Sequence, residues 1–192
     1  MSDLVKKILQ ESCAIKQKVM EDDQLLSLIH EVMEASINAL RNGNKLLFAG
    51  NGGSASDAQH IAAELVGRYE QDRAGLPALA LTTNSSQITA IANDYGYDQL
   101  FQRQVQALAN KGDIFFGLST SGNSKNVINA IQQCKQQEVI TVGMTGRSGG
   151  QMATLCDYCI NVPADNTARI QEVHITIGHI ICSGIERALF SD

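Results

Sequence analysis

Tryptophan is absent from the 192 residues, and only two prolines, Pro77 and Pro163, interrupt the chain. No proline-rich or low-complexity linker divides it, and no short-period repeat runs through it, so one domain over residues 1–192 is expected. Long hydrophobic runs are also missing; the longest apolar stretches are too short to span a bilayer. A basic excess is lacking as well: 15 Lys and Arg stand against 20 Asp and Glu, a net charge of -5. That balance argues against nucleic acid or an anionic membrane as the main partner. It leaves small anions open, because loop amides and helix ends bind phosphate without a basic surface. Residues 1–20 mix Lys6, Lys7, Lys16 and Lys18 with acids and lack the apolar core of a secretory signal, so a cytoplasmic protein is expected.

What is present is an ordinary globular composition, 44% hydrophobic and 18% charged. The five cysteines are an odd number, which suggests free thiols in a cytosolic chain. Cys156 and Cys159 have the spacing of a redox or half-zinc motif, but no second pair accompanies them. They fall in or beside an apolar stretch, Asp157 to Val162, that reads as a strand, so they are taken as small apolar fillers.

The first 42 residues read as two helices, with Leu25, Leu28, Ile29, Val32, Met33, Ile37 and Leu40 at helical spacing and Gly43 as a stop. Short apolar runs then alternate with helices. Strands are expected at 45–49, 78–81, 113–118, 139–144 and 158–162, and a long helix from about Thr167 to Phe190. Continuous apolar strands alternating with helices imply an α/β fold: a five-stranded parallel sheet covered on both faces, a three-layer sandwich behind two N-terminal helices. Ligands of such sheets bind in loops at the carboxyl ends of strands.

Two Gly/Ser-rich loops have that position. Ser119-Thr120-Ser121-Gly122-Asn123-Ser124 follows the third strand and opens a helix. Its hydroxyls and the helix-start amides make an anion cradle, in excess of what a turn and an N-cap need. Gly50-Asn51-Gly52-Gly53-Ser54 follows the first strand; it is neither a Walker loop nor a dinucleotide-binding fingerprint. Ser54 and Asp57 fit a capping box there, with Asp in place of Glu. Together the loops suggest two walls of one polar pocket.

On the helix after the first loop, His60 and Glu64 lie four residues apart and share a face with Asp57. This pair can hold a metal, or Glu64 can act as a general base oriented by His60; an exposed ion pair is the plainer alternative. The last helix carries Gln171, Glu172, His174 and His179. Gln171 and His179 differ by about 80° around the helix and about 12 Å along it, so they meet at one site only if the side chains lean together or subunits share it. His174 points about 140° away from His179 and reads as structural, as does His30. His179 alone, in an apolar stretch, would read as a core residue.

Taken in order, Gly50 to Ser54, Asp57-Ala-Gln-His60-Ile-Ala-Ala-Glu64, Asn93-Asp94-Tyr95-Gly96, Ser119 to Ser124 and Arg169 to His179 resemble the sugar isomerase (SIS) fold along nearly the whole chain. Within it they resemble the bacterial sedoheptulose 7-phosphate isomerases. The resemblance implies a flavodoxin-like sheet and isomerisation of the sugar phosphate in making the heptose precursor of lipopolysaccharide. It implies Glu64 and His179 as the catalytic pair, and Zn²⁺ held by His60, Glu64, Gln171 and His179. Substrate would meet Asn51, Gly52, Gly53, Ser54, Glu64, Asn93, Asp94, Ser119, Thr120, Ser121, Ser124 and Gln171. A homotetramer with sites at subunit contacts is implied too. A relative in the same fold, the DnaA-binding initiator-associating protein, lacks the helix glutamate, so Glu64 separates the two. Sugar-phosphate-sensing regulators join the fold to a DNA-binding domain, for which 192 residues leave no room.

Overall fold

The computed structural model describes residues 2–190. Helices α1 (Ser2–Met20) and α2 (Asp23–Arg41) lead the chain. Asp22 caps α2 by accepting from the Leu25 amide at 3.0 Å. Gly43, at φ +78°, accommodates the turn that ends it, its amide donating to Leu40. Strand β1 (Leu46–Gly50) then enters the sheet, followed by α3 (Gly53–Val66), β2 (Ala78–Ala80), α4 (Ser85–Tyr95), α5 (Leu100–Leu108), β3 (Ile114–Leu118), α6 (Lys125–Gln136), β4 (Ile140–Thr145), α7 (Met152–Leu155), β5 (Tyr158–Asn161) and α8 (Thr167–Phe190).

The five strands pair in the order β2-β1-β3-β4-β5, every pairing parallel. The three central strands are buried along almost their whole length, which is why they read as unbroken apolar runs. Their side chains alternate between two cores. Leu46, Phe48, Ile114 and Phe116 point to the core shared with α2, α3 and α8, where Phe48 and Phe116 stack with centroids 4.9 Å apart. Leu47, Ala49 and Phe115 point to the opposite core, under α5 and α6.

The expected strands appear within a residue or so of their bounds, and α8 spans the residues expected. The sequence pattern predicts no element between Leu81 and Asp113, yet this stretch holds α4, a short 3-10 turn at Tyr97–Gln99 and α5. Helix α4 buries no residue fully and turns only Ile88 and Ile91 toward the core, too short an apolar stripe to stand out; α5 is only 9 residues long.

Candidate functional site

Strands β1 and β3 are neighbours at the point where the strand order reverses, the place where open parallel sheets build their sites. The first loop leaves β1 through Gly52, which at φ +56° serves as the N-cap of α3. A capping box from Ser54 and Asp57 was expected here. The structure replaces it: Gly52 caps without a side chain, and Ser54 Oγ instead accepts from Gln171 Nε2 at 3.5 Å. Asp57 Oδ2 is buried without a partner among the described residues, and burial raises the Asp57 pKa against the opposing pull of His60. Gly53 permits the approach of α8, since a Cβ there would lie 2.6 Å from the Gln171 side-chain oxygen.

The second loop leaves β3. Ser119 Oγ lies 2.9 Å from Ser124 Oγ and 3.4 Å from Ser121 Oγ, so three hydroxyls converge at the start of α6. The N-cap Ser124 makes no side-chain cap bond to that helix, and its first turn carries no acid. Such an end suits an anion. Gly122 has φ +65°, and a Cβ on it would collide with the Gly149 carbonyl. Thr120, half-buried, accepts from the Gly146 amide at 3.0 Å through its own carbonyl.

The two loops are bolted together. Asn51 Nδ2 donates to Asn126 Oδ1 at 3.0 Å, and Asn126 Nδ2 donates back to Asn51 Oδ1 at 2.8 Å. Tyr97 adds its hydroxyl to Asn51 Oδ1 at 3.0 Å. Gly96, at φ +87°, turns the chain from α4 toward that contact. The preceding Asn93 and Asp94 are exposed and bonded to each other at 2.8 Å. Sequence reasoning missed Asn126 and Tyr97. Asn126, in the first turn after the serine loop, was the more visible of the two.

Farther along α3, His60 Nε2 lies 2.9 Å from Glu64 Oε1 and 3.3 Å from His179 Nε2. One ligand atom from each residue falls within 4.8 Å of the others, the one such group among the described residues. The i,i+4 spacing places His60 and Glu64 on one face of α3, and close packing of α3 on α8, where Gly178 meets Ile61, delivers His179. His60 stands edge-on to His179, and Tyr69 stacks on His179 with centroids 5.5 Å apart. His179 is therefore part of a polar cluster and not a core residue. Two imidazoles and a carboxylate within this reach of one another could hold a divalent metal ion. Gln171 is not part of this cluster; it sits at Gly53 and Ser54, about 12 Å back along α8.

The remaining candidates resolve plainly. His174 is fully buried, its Nε2 3.1 Å from the Thr145 carbonyl, and burial lowers its pKa to about 4, so it is structural. His30 is exposed on α2. Cys156 and Cys159 are free thiols packed against Gly143, and burial pushes Cys156 up to about 12, as befits a filler.

Residues 9–146 match the family model described as the SIS domain. The chain is 56% identical over 190 residues to a phosphoheptose isomerase of Aneurinibacillus thermoaerophilus, covering 99% of this chain and 96% of the relative. The structure of the phosphoheptose isomerase GmhA from Neisseria gonorrhoeae superposes with a TM-score of 0.90 at 42% identity, over 96% of this chain and 98% of the other. A phosphoheptose isomerase from Francisella tularensis gives 0.92 at 36% identity, over 96% and 97%.

Proposed function

The chain belongs to the SIS-domain family, among its phosphoheptose isomerases, and from that premise we propose that it isomerises sedoheptulose 7-phosphate to D-glycero-D-manno-heptose 7-phosphate, a step toward the heptose of lipopolysaccharide. The observation that carries the reading is the convergence of His60, Glu64 and His179 from two helices. Ketose-to-aldose conversion removes a proton from C1, forms an enediol(ate), returns a proton to C2 and moves the hydroxyl proton from O1 to O2. Glu64 is the base at carbon, and His179 carries the proton between the oxygens. His60, bonded to Glu64, orients it. His60, Glu64 and His179 are also the residues that would hold a Zn²⁺ ion, which would supply electrophilic polarisation of the carbonyl. Gln171 serves the substrate at the first loop with Asn51, Gly52, Gly53 and Ser54; as a fourth ligand it would have to come from the α8 of a neighbouring subunit.

The Ser119, Thr120, Ser121 and Ser124 loop holds the phosphate, and Asn93 and Asp94 line the sugar's path. We assign all of residues 1–192 to one SIS domain. The family match stops at residue 146, yet β5 completes the sheet and α8 packs on α3. A homotetramer fits the apolar residues exposed on α1, Leu4, Val5 and Leu9, and Ile180 on α8. No helix among the described residues is long and apolar enough to cross a membrane. A cytoplasmic location fits this and the free cysteines. The test is incubation of the purified, zinc-loaded chain with sedoheptulose 7-phosphate, with aldose product followed by NMR. Absence of product would overturn the reading.

A further inference from the structure

Beside the histidine–glutamate cluster lies a second polar group that the isomerase reading does not use. Glu186, on α8, is 1% exposed and takes four donors. The amide of Tyr69 and Arg73 Nε reach its Oε1 at 2.8 and 2.9 Å, and the amides of Glu70 and Gln71 reach Oε2 at 2.8 and 3.1 Å. Arg73, whose side chain is 2% exposed in this pair, also donates to the carbonyls of Glu64 at 2.8 Å and Leu65 at 2.7 Å. The segment after α3 is therefore wound around one buried carboxylate, and it is tied back to the residue proposed as the base.

A buried ion pair of this kind is weak as a source of stability, because desolvation cancels most of its attraction; what it fixes is geometry. The geometry fixed here is that of Tyr69. Glu186 follows His179 by seven residues, so both lie on nearly the same face of α8, about 10 Å apart along its axis. Pinned by its amide to the first, Tyr69 lays its ring on the second, 25° from parallel. His60 touches the same imidazole edge-on at 5.0 Å. The His179 ring thus contacts two flat groups, one of which, Tyr69, is placed by Glu186.

The geometry points to Tyr69 as a positioning residue for the isomerisation, its ring fixing the plane of His179 and its own placement set by the Glu186–Arg73 clamp. This rests on the acid/base assignment of His179 made above. The tyrosine hydroxyl has no part in it; the stacked face does. Exchanging the half-buried ring for an aliphatic side chain removes the stack and leaves the amide on Glu186.

The experiment compares Tyr69→Leu, Tyr69→Phe and His179→Gln in the full-length, zinc-loaded chain. Tyr69→Leu should lower kcat about tenfold while KM for the phosphosugar stays within about twofold, and Tyr69→Phe should restore the wild-type rate. In the metal-free chain, the His179 imidazole C–H resonances should move in Tyr69→Leu and hold in Tyr69→Phe, since only the former loses the ring current. An unchanged kcat in Tyr69→Leu, a loss confined to KM, or failure of phenylalanine to restore the rate would each overturn the inference. Unmoved His179 resonances would overturn it too. Those results leave the acid/base assignment standing so long as His179→Gln is inactive; full activity of His179→Gln would instead remove the assignment itself.

Discussion

Glu64 and Glu186 are carboxylates on the two helices of one seam, α3 and α8, and the protein treats them in opposite ways. The Glu186 side chain is 1% exposed, with two amides or an amide and a guanidinium on each oxygen. Burial alone would raise its pKa, but the amides of Tyr69, Glu70 and Gln71 and the charge of Arg73 hold it below the usual carboxylate range. Glu64 keeps 24% of its side chain exposed and has a histidine for its partner. A carboxylate whose lone pairs are all taken is locked in one charge state and one position. One with an open oxygen beside two imidazoles can exchange a proton or take a metal. Satisfaction of hydrogen bonds, more than burial, separates the structural charge from the chemical one.

The comparison breaks first, and most visibly, at Glu64 and His179. Glu64→Gln and His179→Gln keep size and remove proton transfer, so each should lower kcat by about 10²–10⁴-fold. Their thermal unfolding should stay near that of the parent, because neither side chain is fully satisfied in the fold. A near-parental rate in either variant takes that residue out of the acid/base pair. The metal sharpens the same contrast. Protein purified without chelator should contain one zinc per chain by elemental analysis, and His60→Ala should lose most of it. Unchanged metal content in His60→Ala would contradict the ligand set.

Asp113 tests the other half of the contrast. It is 1% exposed and accepts from the Lys45 amide at 3.0 Å, the Asn110 amide at 2.7 Å, Asn44 at 3.3 Å and the Lys45 ammonium. Burial works to raise its pKa, but the bonds from Lys45 and Asn110 outweigh it and leave the value lowered. A carboxylate lowered in the folded state contributes stability above its unfolded pKa, about 3.9, and loses it as pH falls through the folded value. Asp113→Asn should therefore cost about 2–3 kcal/mol at pH 7 by denaturant unfolding, and the gap to the parent should narrow below about pH 4. Turnover of the folded variant should be unaffected. A gap independent of pH would remove the charge from the argument.

Much of this contrast was legible before the structure, and the missing part has a physical reason. The five strands were plain because central parallel strands are buried on both faces and read as continuous apolar runs. His60 and Glu64 were visible as a pair because four residues on a helix is a local distance. The clamp was not. Arg73 and Glu186 are 113 positions apart, and nothing in the sequence near either announces the other. Asn51 and Asn126 are 75 apart and equally silent. Helix α4 escaped because it buries no residue fully, offering only Ile88 and Ile91 to the core, and the Ser54–Asp57 cap was wrongly expected because the carbonyls of Asn51 and Gly52 take the first amides of α3 while Ser54 Oγ accepts from Gln171. Local periodicity finds elements; pairing across the fold decides which charges are free.

The smallest expected effect lies in the loop proposed to hold the phosphate, where no formal charge is at stake. Ser121 and Ser124 place their hydroxyls 3.4 and 2.9 Å from that of Ser119, at the start of α6. None is a base near neutral pH, so the loop can orient an anion but cannot move a proton. Each hydroxyl contributes on the order of 1 kcal/mol to a charged acceptor, while the helix-start amides remain in any side-chain variant. Ser121→Ala combined with Ser124→Ala should weaken phosphosugar binding about thirtyfold by calorimetry, with inorganic phosphate weakened in parallel. The rate at saturation should fall less, through poorer positioning alone. Cys156→Ala with Cys159→Ala is the control, since those thiols pack on Gly143 and should leave anion binding unchanged. If the double serine variant binds the phosphosugar as tightly as the parent, the phosphate sits instead at the first loop. Gly52, Gly53 and Ser54, with the amides that open α3, would then form the anion site, and the Asn51–Asn126 bond would join it to a second loop that holds the sugar.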